Sequence, residues 1–167
     1  MCKFKVRPSD AGDLAKVDEL LARAFPILLK PDYPASILVT AIPLMARANP
    51  TLLASGRYYV AETCNGSIVG CGGWSLTNPN APRRRQRLAH VRHFGTDPDF
   101  TRQGVARAIM ARCIADMAGR DVRRMECHSS RTAVPFYSVM GFEKVREMLV
   151  ALAPGVEFPA ILMVRDI

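Results

Sequence analysis

Paired cysteines are missing from this sequence. The five present, Cys2, Cys64, Cys71, Cys113 and Cys127, are odd in number and no two stand in a Cys-x-x-Cys spacing, so neither a disulfide framework nor a metal site is expected. Long hydrophobic runs are missing too. The longest, residues 35–46, is interrupted by Pro43, and at about 1.5 Å per residue it falls short of a bilayer core of roughly 30 Å. The opening residues Met1-Cys2-Lys3-Phe4-Lys5 hold none of the apolar core of a secretory signal. Internal repeats, low-complexity tracts and linker-like stretches are also lacking, which argues against disordered and fibrous classes. What remains is a reduced, cytoplasmic protein with no membrane partner, one domain over residues 1–167.

Acidic residues are in short supply. Against 15 Asp and Glu stand 23 Lys and Arg, a net charge of +8, which favours anionic partners without choosing among nucleotides, phosphorylated cofactors, nucleic acid and anionic lipid. The excess is mostly arginine, clustered at Arg83, Arg84, Arg85 and Arg87, with more at Arg102, Arg107, Arg123 and Arg124. The 83–87 run equally suits a solvated surface. Because it lies in a proline-containing stretch, with no aromatic RNA motif or zinc spacing beside it, no nucleic-acid partner is expected.

An apolar fraction of 49% over 167 residues is enough for a substantial core. Phe4 to Val6 reads as a short strand that ends at the turn and cap residues Pro8-Ser9-Asp10. Leu14, Val17, Leu20, Leu21 and Ala24 then recur at spacings of three and four, the stripe of an amphipathic helix that Pro26 would bend or end. One or two short helices are expected between Pro31 and Ser55. Tyr58-Tyr59-Val60-Ala61 and Ser67-Ile68-Val69-Gly70-Cys71 flank Asn65-Gly66, a pair suited to a two-residue hairpin turn. Gly70, Gly72 and Gly73 point to a bulge or close backbone approach. Leu88–Thr96 reads as strand, Gly104–Gly119 as helix, Arg124–His128 as strand and Thr132–Met140 as a short helix stopped by Gly141. Two closing strands, Glu143–Leu152 and Phe158–Val164, are joined at Pro154-Gly155. The order implies a mixed α/β sheet with helices on both faces.

The sharpest local signal is Phe100-Thr101-Arg102-Gln103-Gly104-Val105-Ala106-Arg107-Ala108, a basic, small-residue turn between a strand and a helix. Such a turn presents unpaired N–H groups and the positive end of the helix dipole to a phosphate. On spacing alone it fits an ordinary helix start as well.

Two blocks in order, about 30 residues apart, resemble the GNAT superfamily. The stretch His93 to Ala106 is similar to that family's acetyl-CoA motif Gln/Arg-x-x-Gly-x-Gly/Ala, with Thr101 in the first place. Thr132-Ala133-Val134-Pro135-Phe136-Tyr137-Ser138-Val139-Met140-Gly141-Phe142 resembles its Asn-x-x-x-x-Phe-Tyr-x-x-x-Gly-Phe helix, with Thr132 in place of Asn. The Asn-Gly hairpin before the first block and the two strands after the second keep the family's order. The resemblance implies a mixed, mostly antiparallel twisted sheet of about seven strands, acetyl-CoA as cosubstrate, and transfer of its acetyl group to a primary amine of a small molecule or peptide in a ternary complex. It extends to a homodimer.

By the same resemblance, backbone groups of Phe94, Gly95 and Thr96 would pair with the pantetheine arm and those of Arg102, Gln103, Gly104, Val105, Ala106 and Arg107 would hold the pyrophosphate. Thr132 and Phe136 would complete the cofactor site. Tyr137 would be the general acid toward the departing thiolate, the alternative being a packed tyrosine. An alkylamine of pKa about 10.4 is almost wholly protonated at neutral pH, so a base is needed. His90 is the candidate, directly or through water, because Ala89-His90-Val91-Arg92 is similar to serotonin N-acetyltransferases, which have His at the places of both His90 and Arg92. On strand alternation His90 shares a face with Arg92 and Phe94, and a structural histidine is the competing reading. His93, His128 and Glu62 are weaker candidates. Cys127, on the face opposite His128, reads as core. A non-catalytic CoA-binding regulatory module is the alternative function, and residues 25–55 with the 77–87 loop are expected to wall the acceptor site.

Overall fold

The computed structural model describes residues 3–76 and 87–167, so Arg83, Arg84 and Arg85 lie outside the described residues. The hairpin of β2 (Tyr58–Glu62) and β3 (Ile68–Ser75) is present and antiparallel as expected. The turn differs from the expected two-residue form. Thr63 N–H donates to Ser67 O at 2.9 Å and Gly66 N–H to Thr63 O at 3.0 Å, and Gly66 alone takes positive φ, +84°. This three-residue loop needs only Gly66 in the left-handed region, because Asn65 sits inside the preceding turn.

Around the hairpin the sheet has seven strands in the order β1-β2-β3-β4-β5-β7-β6. The others are β1 (Lys5–Pro8), β4 (Leu88–Thr96), β5 (Arg124–Ser129), β6 (Glu143–Ala153) and β7 (Val156–Asp166). Only the central β4–β5 pair is parallel.

Three helices cover one face. α1 (Leu14–Leu29) buries Val17, Leu20 and Leu21 against Tyr58, Val60 and Cys71, with Ala24 also buried, and it runs through Pro26 instead of stopping there. Pro26 is on the exposed side, where water can satisfy the carbonyl freed four residues earlier. α2 (Ala35–Met45) follows Pro34, and the single turn α3 (Pro50–Leu53) has Pro50 in its first turn, where a missing N–H costs nothing. The opposite face carries α4 (Val105–Met117) and α5 (Val134–Val139). Ile109, Met110, Cys113 and Met117 of α4 form the main core with Tyr59, Trp74, Met125 and Met163. Gly70 lets α4 approach: a Cβ there would lie 2.3 Å from Val105 Cγ1. Among the described residues no helix is long and apolar enough to cross a membrane.

Candidate functional site: a gap between β4 and β5

β4 pairs with β5 only from Leu88 to His90, against Arg124 to Glu126. Beyond that point β4 follows β3 as far as Thr96, while β5 follows β7 as far as Ser129. The two strands therefore part, and peptide groups of β4 from Val91 onward face a wedge instead of a neighbour. Unpaired strand edges of this kind accept an added extended chain.

A bulge lies at the mouth of the wedge. Arg92 stands opposite Gly73 and Gly95 opposite Cys71, so His93 and Phe94 together face Gly72 alone. His93 takes φ +52° and its carbonyl leaves the ladder, where Tyr58 Oη donates to it at 2.7 Å. The extra residue corrects the expected alternation. His90 and Arg92 share the α1 face, but Phe94 turns to the α4 face, where its ring would meet any Cβ on Gly72 at 2.5 Å.

The β4 strand leads into an anion-ready turn. Asp97 caps the short turn Pro98–Phe100 by accepting from Asp99 N at 2.8 Å, and Arg23 of α1 holds Asp97 at 2.7 Å and Asp99 at 2.6 Å. With those carboxylates neutralised, the next four residues form the cradle. Arg102 (φ +62°) and Gly104 (φ +85°) are both left-handed, an alternation that turns successive N–H groups toward one side. Among the described residues no side chain caps α4, in contrast to Asn49 at α3 and Asp97 at the preceding turn, which leaves its first N–H groups, Val105 to Arg107, for a ligand. Arg102 and Arg107 are exposed, while Gln103 braces the turn by donating to Asp99 O at 2.9 Å.

Tyr137 lies on the α4 side. It is 6% exposed, and its ring packs 5.1 Å from Phe136, 5.3 Å from Phe142 and 6.4 Å from Phe94. Burial pushes its phenol well above the ordinary value, so the hydroxyl holds its proton throughout the neutral range. Thr132 points elsewhere: its hydroxyl donates to Asp32 at 2.7 Å, tying the turn after β5 to the loop between α1 and α2.

On the α1 face the parallel register sets His90 beside Glu126, with Nδ1 and Oε1 at 3.0 Å. The carboxylate can only accept, so Nδ1 carries the proton and Nε2 is the basic nitrogen. Glu126 was not among the sequence candidates, where the carboxylate offered beyond the His90 strand was Glu62 on the hairpin. The alternation of Met125 and Cys127 with Glu126 and His128 was the available signal.

The remaining candidates are accounted for elsewhere. Glu62 is bound to Arg7 at 2.9 Å, and Arg7 also pairs with Asp13. Cys127 is core, its thiol pushed far up by burial. His93 is part-buried, and its Nε2–H donates to Met45 O at the end of α2 at 2.7 Å. Desolvation lowers His93 from the usual 6.5 and it lowers His128 likewise. The unfolded chain therefore binds more protons than the fold, so stability is full above about pH 6.5 and falls as pH drops through the depressed native values. His93→Gln, which keeps an amide donor, is expected to flatten the loss of Tm between pH 7 and pH 5. An unchanged slope would refute the assignment.

Comparison with known proteins bears on this geometry. A family model described as an acetyltransferase (GNAT) domain matches residues 43–151, more than half of the chain. No curated protein matches the sequence. Among solved structures, a GCN5-related N-acetyltransferase from Rhodopseudomonas palustris has a TM-score of 0.77 at 18% identity, covering 100% of this chain and 98% of that one. The PaiA N-acetyltransferase of Thermoplasma acidophilum, in complex with coenzyme A, has a TM-score of 0.74 at 11% identity, covering 99% and 100%. A phosphinothricin acetyltransferase from Sinorhizobium meliloti, in complex with AcCoA, has a TM-score of 0.66 at 17% identity, covering 99% and 89%. These likenesses establish the fold. Since the family match runs from the end of α2 to β6, across the bulge, the wedge and the α4 turn, the chain belongs to the GNAT acetyltransferase family.

Proposed function

We propose that this protein is an acetyl-CoA-dependent N-acetyltransferase acting on a primary amine of a small molecule or peptide by direct attack in a ternary complex. The observation that carries the reading is the open β4–β5 ladder leading straight into an uncapped α4 terminus. One end offers strand-pairing groups at Phe94, Gly95 and Thr96, and the other offers N–H groups from Arg102 to Arg107. A long linear ligand with an amide-bearing arm and a diphosphate matches both, and Phe136 of α5 borders it. Acetyl-CoA supplies the activated acyl group and the thiolate leaving group.

The chain's own residues handle the protons. His90, held by Glu126, accepts a proton from the amine directly or through water, and Tyr137 donates one to the sulfur as the C–S bond breaks and the N–C bond forms. Direct attack is favoured over an acyl-enzyme because Cys127 is buried with its thiol held protonated. Free cysteines at 64, 71, 113 and 127 suit a reducing cytoplasm. A homodimer belongs to the same reading.

Removing the carboxylate that faces His90 lowers its basicity. Glu126→Gln is therefore expected to reduce kcat/KM about tenfold and to move the acidic limb of the pH–rate profile about one unit lower. An unmoved limb would remove His90 as the base. The overall reading is tested by thiol release from acetyl-CoA across amino acids, polyamines, aminoglycosides and peptide N-termini. Release with at least one class is expected, whereas uptake of CoA without release would assign a regulatory module instead.

A further inference from the structure

Arg92 is the half-buried cation of the site face that has no carboxylate. Its Nη1 donates to Ser75 Oγ at 3.0 Å, and Asp or Glu pairs are formed instead by Arg7, Arg23, Arg87, Arg120, Arg123 and Arg124. All 15 carboxylate side chains of the sequence lie among the described residues, since residues 77–86 contain neither Asp nor Glu. Arg7, a part-buried arginine of β1, has two carboxylate partners. Burial pulls the Arg92 guanidinium below its ordinary pKa, the sign of a charge held at a cost. A ligand that brings the missing anion removes that cost.

Arg92 is also placed to sort substrates. It stands two residues from His90 on one strand face, about 7 Å along β4. Glu126 makes the His90 end negative and Arg92 makes the bulge end positive, so the face is polarised along the strand. A zwitterion fits this pattern, with its ammonium toward His90 and Glu126 and its carboxylate toward Arg92. With Nη1 on Ser75, the guanidinium keeps a second edge for a two-point contact, which suits a single carboxylate.

Resting on the acyl-transfer reading above, we propose that Arg92 receives the acceptor's carboxylate, and that the substrates are primary amines bearing a carboxylate a few bonds from the nitrogen, namely amino acids or their derivatives. The test compares kcat/KM by thiol release for amino acids, their carboxamides, the decarboxylated amines and the matching aminophosphonates. The free acids are expected to lead the amides by at least about tenfold, mainly through KM. Arg92→Gln should collapse that ratio toward one and Arg92→Lys should restore part of it, with acetyl-CoA affinity and Tm measured on each variant. Should Arg92→Gln fail to fold, the acid-to-amide ratio of the unaltered protein and of Arg92→Lys still decides. Acids and amides turned over within threefold of each other, or a preference for the phosphonates, would overturn the carboxylate assignment while leaving acetyl transfer intact. CoA uptake without release from any amine would overturn both.

Discussion

Tyr137→Phe is expected to lower kcat about a hundredfold while changing acetyl-CoA affinity by no more than two- to threefold. The phenol oxygen is the only atom lost. The ring it leaves behind keeps its contacts with Phe94, Phe136 and Phe142, so neither the core nor the wall of the wedge is disturbed. The parent thiol of the leaving group has a pKa near 8.5, so a proton delivered at the sulfur spares the release of a bare thiolate. Because burial raises the tyrosine's own pKa, the acid remains loaded on the alkaline side, and no fall in rate from its ionisation is expected up to about pH 9. Steady-state kinetics and calorimetry separate the two terms. A variant with an unaltered kcat would show Tyr137 to be a packing residue.

Gly104→Glu should weaken acetyl-CoA binding by at least about a hundredfold, equivalent to roughly 2.7 kcal/mol. Two effects add. The residue sits at φ +85°, which a side chain tolerates at a cost of about 1 kcal/mol, and the new carboxylate would stand beside the N–H groups proposed to hold a diphosphate. Nothing lies within 4 Å of the position where its Cβ would go, so the substitution meets no protein atom and the fold should survive. Gly104→Ala isolates the conformational part and is expected to lose far less affinity. If the glutamate variant bound as tightly as the unaltered protein, the α4 turn would not be the phosphate site.

The parts legible in the sequence were those with local causes. Asn65-Gly66 announced the hairpin, the apolar spacing announced α1, and the Gly104 and Tyr137 blocks announced the turn and the short helix. What was not legible depended on register between distant segments. The His90–Glu126 pair exists only because β4 and β5 run parallel for three residues, and nothing in either strand alone specifies that alignment. The bulge was anticipated near the glycines of β3, yet its extra residue is on β4. That placement turns Phe94 away from His90, which no alternation rule could give. The partner of Glu62 was hidden for a related reason, since Arg7 comes from a strand 55 positions earlier.

The central claim is that the wedge and the turn beyond it seat acetyl-CoA. Calorimetric titration of the folded protein with acetyl-CoA, at low and high salt, tests this most directly. One molecule per chain, bound in the micromolar range and more weakly as salt screens the phosphates, is the predicted result. A folded protein that takes up neither acetyl-CoA nor CoA at millimolar concentration would contradict it.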